Sequence, residues 1–205
     1  MTIQACVIFY NDGHSLIQDC LRSIKGKVDY IVSVDGPFAE FPHLSIPSSD
    51  GSLEIAQNYS DMVIGSTTPW INQAEKRNAS LNQDFNPDYF LVIDTDEIFW
   101  GDLPPELWQD RYTINFEEHF SDGMVLHLPR PRLFRNVPGL HYHLKHNHIF
   151  QDNNIPFIPN AENKDDFPTL DGCKIHHFPY KRGQLRLEKD GHYVRSRAEN
   201  KIKLI

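Results

Sequence analysis

Three acidic side chains follow an apolar run in the segment DYFLVIDTDEIFW, residues 88–100. Asp94 and Asp96 are one residue apart where a predicted strand ends, and Glu97 comes next. Two carboxylates at this spacing can share one hard cation or its bound water. Oxygen ligands suit Mg²⁺ or Mn²⁺, and these ions keep several waters and bind phosphate groups as well. The spacing therefore predicts a Mn²⁺ or Mg²⁺ site for a phosphorylated ligand.

Two basic residues, Lys76 and Arg77, precede these acids in the segment AEKRN and are candidate phosphate partners. A helix N-terminus at this point would add its dipole to the attraction. The plainer alternative is that acids after a strand only form a turn. The D-x-D pattern occurs once in the chain, at the end of a predicted strand, and this position favours a functional site.

Short apolar runs alternate with helical periods over the first 95 residues. The predicted strands cover residues 3–10, 29–38, 62–67 and 89–94, and the predicted helices cover 14–28, 47–61 and 71–85. This alternation predicts a parallel, doubly wound α/β sheet. Strands buried on both faces of such a sheet carry continuous rather than alternating apolar residues, as these runs do.

The ends of the predicted strands bring polar residues to one edge of the sheet. In an open parallel sheet, ligands bind beyond the carboxyl ends of the strands. The residues that the first, second and fourth strands deliver there are Tyr10, Asn11, Asp12, Asp35, Asp94 and Asp96. We therefore expect them to line one crevice, although Asp35 followed by Gly36 is also the composition of a simple turn.

After residue 101 the sequence pattern changes. Residues 112–136 predict a hairpin around Ser121, Asp122 and Gly123. Residues 140–151 predict one further strand, 151–172 a long loop that closes over the ligand, and 182–205 a charged helix interrupted near Gly191.

Size and composition limit the classes of protein. A length of 205 residues favours a single domain, and a net charge of −8 argues against nucleic acid as a partner. Cys6, Cys20 and Cys173 have no C-x-x-C spacing, which predicts reduced thiols in a cytoplasmic protein. There is no signal-peptide pattern, and no apolar run approaches the roughly 20 residues of a membrane span.

Six segments together resemble the glycosyltransferases of the GT-A fold, close to family 2. In chain order they are VIFYNDGHSLIQDCLRSI, YIVSVDG, EKRNASL, FLVIDTDE, RLFRNVPGLHY and IHHFPY. The resemblance implies a Rossmann-like, mostly parallel sheet flanked by helices, with a smaller antiparallel part. Residues 1–100 would bind the nucleotide sugar, and residues 101–205 would form the acceptor side and a C-terminal helix.

The implied activity is transfer of a sugar from a nucleoside diphosphate sugar, namely a UDP-sugar, to a hydroxyl of a glycan or glycoconjugate. The resemblance implies inversion of configuration in this transfer. By resemblance, Asp35 contacts the nucleotide base, and Lys76 and Arg77 face the nucleotide. Tyr10 and Asn11 are nucleotide-binding candidates from their place at the end of the first predicted strand. Asp94 and especially Asp96 hold the metal, with His177 or its neighbour His176 completing the metal shell or contacting the phosphates. Glu97 orients the turn or a donor hydroxyl.

The catalytic base departs from the family pattern. Relatives carry a His-Glu pair after RLFRN-P-G, whereas this chain has Asn147 and His148 there. An inverting transfer needs a base for the acceptor hydroxyl. The candidates are His148, Asp122 and Asp152.

Two other functions stay open. Eight of the eleven histidines follow residue 126, and four lie in HYHLKHNH, residues 141–148. Imidazole clusters bind transition metals, so one alternative is a histidine-metal enzyme with its site in this segment. The plainer interpretation is that these histidines are only polar positions on the solvent-exposed face of a strand. A module that binds a sugar nucleotide or a glycan without turnover is another, with Trp70, Trp100 and Trp108 available to stack on sugar rings.

Overall fold

A computed structural model of the protein describes residues 1–39, 45–81, 84–143, 149–151, 155–156 and 167–182. The strands are β1 (Ile3–Phe9), β2 (Tyr30–Asp35), β3 (Met62–Ile64), β4 (Tyr89–Asp94), β5 (Glu97–Gly101), β6 (Arg111–His119), β7 (Val125–Arg135), β8 (His141–Tyr142), β9 (Ile149–Gln151), β10 (Ile155–Pro156) and β11 (Thr169–His177). The α-helices are α1 (His14–Ile24), α2 (Ser52–Tyr59) and α3 (Gln73–Leu81), and a 3-10 helix covers Pro179–Arg182.

Eight strands form one mixed sheet in the order β3-β2-β1-β4-β7-β6-β11-β5. The first four strands are parallel, and their order is that of a doubly wound nucleotide-binding half. The α/β prediction is therefore confirmed. Strand β7 pairs antiparallel with β4 and β6, and β6 pairs parallel with β11.

Helices cover both faces of the parallel half, because side chains along each strand alternate between two cores. Ala5, Val7 and Phe9 of β1 pack into the core that holds α1 and α2. Cys6, between them, packs into the second core with α3. This two-sided burial explains the continuous apolar runs in the sequence.

The hairpin predicted around residues 121–123 is confirmed, since β6 and β7 pair from Arg111 to His119. The strand predicted over 140–151 is instead two short strands, β8 and β9, which pair antiparallel. Part of the predicted 151–172 loop is strand, because β10 and the start of β11 lie within it. The predicted C-terminal helix lies almost wholly in 183–205, outside the described residues. None of the described helices has the length and apolar character to cross a membrane.

Strands β5 and β11 approach unusually closely at Gly101. Its φ is +85°, and a Cβ there would lie 2.0 Å from the carbonyl oxygen of Gly172. Gly26 has a similar φ of +79° with nothing within 4 Å of a Cβ. We expect Gly101→Ala to lower the free energy of unfolding by about 2 kcal/mol more than Gly26→Ala does, because only the first adds a backbone clash to the conformational strain. Urea denaturation of both variants measures the difference, and equal losses would contradict the close approach.

Candidate functional site at the acid corner

The ends of β1 and β4 meet at a cluster of polar side chains, here called the acid corner: Asp12, Asp94, Thr95, Asp96 and Glu97. The hydroxyl of Thr95 donates to Oδ2 of Asp12 at 2.8 Å. This bond joins the turn after β4 to the turn after β1. The acids therefore lie at the carboxyl edge of the sheet, where open α/β sheets bind ligands.

Asp94 is held by arginines. Nη2 of Arg77, on α3, donates to Oδ1 of Asp94 at 2.6 Å, and Nη2 of Arg132, on β7, lies 3.9 Å from Oδ2. The side chain of Arg77 is only 2% exposed and that of Asp94 is 23% exposed. Burial opposes the charge on Arg77, but Asp94, with Tyr142 and Glu97 adding to its effect, outweighs burial, and together they raise the pKa of Arg77. Arg77 is therefore a permanent cation beneath the corner.

Glu97 is buried beneath the turn. Its Oε1 accepts a hydrogen bond from Arg132, and its Oε2 accepts one from the backbone N–H of Asp94 at 2.9 Å. Burial away from water raises the pKa of Glu97 to about 7, against the opposing charge of Arg132. Both carboxyl oxygens are thus used to fix the turn that carries Asp94 and Asp96.

Asp96 contacts a histidine on β11, the strand that pairs with β5. Oδ2 of Asp96 lies 3.2 Å from Nε2 of His177, at the end of β11, and Asp96 is 4% exposed. The backbone N–H of Phe178 donates to the carbonyl oxygen of Asp96 at 2.9 Å. Strand β11 therefore brings an imidazole to the carboxylate from 81 residues along the chain.

The surroundings of Nδ1, the second ring nitrogen of His177, bear on whether this histidine can bind a metal. Nδ1 is buried without a hydrogen-bond partner, and the nearest acid is Glu118, whose Oε1 lies 3.9 Å away. A histidine that binds a metal usually turns its other N–H to a carboxylate. Adjacent ligands of an octahedral ion at about 2.1 Å lie about 3.0 Å apart, close to the Asp96–His177 separation. The pair therefore suits two neighbouring positions on one divalent ion.

Asp35 is fully buried at the end of β2. Its carboxylate accepts hydrogen bonds from the backbone N–H of Ser48 at 2.9 Å and from the Ser48 hydroxyl at 2.5 Å. The indole N–H of Trp70 donates to the Asp35 carbonyl oxygen at 2.7 Å. Tyr10 and Asn11 contact the same segment, since the Tyr10 hydroxyl donates to the Ser45 carbonyl oxygen and Oδ1 of Asn11 accepts from the N–H of Ser49. These three predicted nucleotide ligands thus hold residues 45–49 against the sheet edge.

Loss of the Ser48 hydroxyl tests this contact. Ser48→Ala should lower the free energy of unfolding by about 2 kcal/mol, because a hydrogen bond to a buried carboxylate is among the stronger kinds. Ser49→Ala is the matched control: it keeps the backbone N–H that bonds Asn11 and removes an exposed hydroxyl that bonds the exposed Ser45 hydroxyl at 2.9 Å. Thermal unfolding compares the two variants, and equal midpoints would show that the Ser48 hydroxyl contributes nothing.

Lys76 ties the ends of β1 and β2 together. Its Nζ donates to the carbonyl oxygens of Phe9 and Gly36, each at 2.5 Å, and the side chain is almost fully buried. The ammonium therefore fixes the separation of the two strand ends. Contact with a phosphate stays a prediction for Lys76.

The remaining predicted residues are dispersed. His176 lies on the opposite face of β11 from His177, beside Glu117 and His119. Asp122 is exposed in the β6–β7 turn, where Oδ1 accepts from the N–H of Met124 at 3.0 Å. His148 and Asp152, the other base candidates, lie outside the described residues.

The histidine cluster of the alternative hypothesis is described only in part. Nδ1 of His141 lies 2.7 Å from the Gly139 carbonyl oxygen, and the His141 and His143 rings are 6.3 Å apart in an edge-on arrangement. Residues 144–148 lie outside the described ranges. Within those ranges, one group of three possible metal ligands has ligand atoms all within 4.8 Å of one another, and it is Glu117, His119 and His176.

Sequence reasoning did not select Arg132, Glu117 or His119 as site residues. Arg132 belongs to the RLFRN segment, so a search for cations to pair with the acids would have found it. Glu117 and His119 share one face of a strand at a spacing of two residues, a pattern that is visible in FEEHF once β6 is assigned.

No protein-family profile matches the chain, and no curated protein matches it. Solved structures that it resembles include S. aureus TarS 1-349, at 24% identity and a TM-score of 0.37 over 48% of this chain and 28% of that chain. S. aureus TarS matches at 18% identity and a TM-score of 0.41 over 60% and 23%. TarS 1-349 in complex with UDP matches at 23% identity and a TM-score of 0.36 over 48% and 28%. The chain spans about a quarter of the length of these TarS chains.

Proposed function

We propose that this chain is a metal-dependent glycosyltransferase. It transfers a sugar from a nucleoside diphosphate sugar, namely a UDP-sugar, to a hydroxyl of a glycan or glycoconjugate. The transfer proceeds with inversion of configuration. The observation that carries the proposal is the Asp96–His177 pair at the carboxyl edge of a sheet ordered 3-2-1-4. The sequence resemblance to GT-A glycosyltransferases supports the same activity.

Asp96 and His177 would hold a Mn²⁺ or Mg²⁺ ion through one carboxylate oxygen and Nε2. When bound, such an ion neutralises the negative charge that develops on a departing diphosphate. With its Nδ1–H turned toward Glu118, 3.9 Å away, His177 would have Nε2 available to hold the ion. Asp94 carries its charge between Arg77 and Arg132, so in this proposal it orients the donor more than it binds the ion.

Glu97 acts as a positioning residue. Its two oxygens bond Arg132 and the Asp94 N–H, which fixes the turn on which Asp94 and Asp96 stand. A fixed turn keeps the carboxylates in the geometry that transfer requires, so that little reorganisation is needed during the reaction. To accept a hydrogen bond from a hydroxyl of the donor sugar, Glu97 would have to give up one of these two bonds.

The nucleotide would lie across the ends of β1 and β2, with its nucleobase beside Asp35. Asp35 already accepts two hydrogen bonds from Ser48, so base recognition requires the base to replace Ser48 or to contact it. Tyr10 and Asn11 support this segment, and Lys76 keeps the two strand ends together. The catalytic base would be His148, Asp122 or Asp152, from the acceptor-side half.

Thermal unfolding with nucleotides tests the proposal. A ligand at about 100 times its dissociation constant stabilises a protein by about 2.7 kcal/mol, so a true ligand raises the midpoint clearly. We expect UDP to raise the unfolding midpoint clearly when Mn²⁺ is present and far less when it is absent. We also expect slow release of UDP from a UDP-sugar in the presence of Mn²⁺. UDP binding with no release from any UDP-sugar, with or without acceptor, would instead indicate a binding module. No response to UDP, GDP or dTDP would refute nucleotide binding.

A further inference from the structure

The half of the sheet formed by β7, β6, β11 and β5 carries a second polar cluster on its outward face. Side chains alternate along β11, so His177 contacts the acid corner while His176 lies on the other side. Glu117 and His119 of β6 lie beside His176 on that outward face. We call Glu117, His119 and His176 the outward triad. It shares no residue with the acid corner.

Three ligand atoms of the outward triad converge. Nε2 of His119 lies 2.9 Å from Nδ1 of His176, which lies 3.0 Å from Oε2 of Glu117. Nε2 of His119 lies 3.8 Å from the same Glu117 oxygen. The circle through these three atoms has a radius of about 1.9 Å, and zinc–nitrogen and zinc–oxygen distances are about 2.0–2.2 Å. An ion slightly out of their plane would therefore contact all three without rearrangement.

The surroundings hold these atoms in place. Nζ of Lys174 lies 3.0 Å from Oε1 of Glu117, so Oε2 is the oxygen left for an ion. The ring of His119 stacks on Phe178 with centroids 4.7 Å apart, which fixes the plane of the imidazole. All three members of the triad are partly exposed, so an ion reaches them from solvent. A hydrogen bond to the ligating carboxylate, here from Lys174 to Glu117, is typical of metal sites.

A cavity adjoins the triad. It has a volume of about 430 Å³ and shares Glu117 with the cluster, and its walls include Trp100, His127 and Lys174. Two imidazoles and one carboxylate are the ligands of zinc sites that keep a fourth position open. A water or a ligand from the cavity fits that fourth position.

We propose that Glu117, His119 and His176 form a binding site for a borderline divalent transition metal, of the Zn²⁺ class. Two nitrogen donors favour Zn²⁺ or Co²⁺ over Mg²⁺, which takes oxygen ligands. The site goes beyond the proposed transferase activity, because it uses the opposite face of β11 and other side chains. It also differs from the histidine segment of residues 141–148, with which it shares no residue.

Co²⁺ is the probe for this site, because its visible absorption reports four-coordination and Zn²⁺ displaces it. The untagged full chain, freed of metal by a chelator, is titrated with Co²⁺ and then with Zn²⁺. We expect a four-coordinate spectrum that Zn²⁺ removes. His119→Ala and Glu117→Gln should each weaken binding by about 100-fold or more, because loss of an outer contact alone costs 10- to 100-fold.

Two controls separate this site from the others. Asp96→Asn, at the acid corner, and the combined alanine variant of His141, His143, His146 and His148 should both keep the Co²⁺ spectrum. Circular dichroism checks the fold of each variant, and if His119→Ala does not fold, Glu117→Gln decides because it keeps the side-chain size. Absence of Co²⁺ binding, unchanged binding in Glu117→Gln, or loss of binding in the combined histidine variant would each overturn the site.

Discussion

Asp96→Asn is expected to lower kcat/KM for sugar transfer by about 100-fold or more, because loss of a metal ligand removes several kcal/mol of transition-state stabilisation at about 1.4 kcal/mol per tenfold. Asparagine has nearly the same size, so the turn between β4 and β5 is retained. The loss therefore reports the carboxylate charge that faces His177 at 3.2 Å. Initial rates with a UDP-sugar at several Mn²⁺ concentrations measure it.

The matched control is His143→Ala. His143 is exposed and belongs to the histidine segment of the alternative hypothesis. We expect this variant to keep the transfer rate and the Mn²⁺ dependence. The reverse pattern, with Asp96→Asn unaffected and His143→Ala inactive, would favour the histidine-metal enzyme and refute the acid-corner mechanism.

Arg77→Met is expected to lower the free energy of unfolding by about 3 kcal/mol. Arg77 is 2% exposed and donates to Asp94 at 2.6 Å, and removal of one partner of a buried ion pair leaves the other charge poorly compensated. Arg132 still lies 3.9 Å from Asp94, which limits the loss. Methionine fills most of the vacated volume, so the change reports charge more than packing.

Arg135→Met is the matched control for Arg77→Met. Arg135 pairs with Asp110 at 2.9 Å, but the two side chains are 36% and 64% exposed. Pairs of this kind contribute about 0–1 kcal/mol. Urea denaturation gives the two free energies, and a loss of less than 1 kcal/mol for Arg77→Met would contradict a structural role for the buried pair.

The sequence predicted the parallel half of the fold because its signals are local. Continuous apolar runs between turn residues mark β1, β2 and β4, and a helical period marks α1. The carboxyl ends of parallel strands share one edge, so the meeting of Asp12 with the turn after β4 could be anticipated. Asp94 and Asp96 lie where that reasoning places them.

The antiparallel half was harder to predict, because its strands have one polar face. Strand β11 alternates Lys174 and His176 with Ile175 and His177, and a register shift follows Leu170, so no apolar run marks it. The contacts that complete the acid corner are also distant in sequence. Arg132 lies 35 residues from Glu97, and such a pairing follows from the strand order, which local patterns do not specify.

Burial changed the interpretation of two predicted nucleotide ligands. Lys76 and Asp35 were selected by charge and position, and both lie beneath the strand ends with their polar atoms bonded to the protein. A sequence pattern gives the element and the face of a residue. It does not give the loop that covers the residue, here 45–49 over Asp35.

Anomalous scattering at the manganese edge, from crystals grown with Mn²⁺ and UDP, would locate the proposed metal site. We expect one strong peak between the Asp96 carboxylate and Nε2 of His177, with the diphosphate of UDP on its open side. A diphosphate bound elsewhere, with no peak at Asp96 and His177, would contradict it.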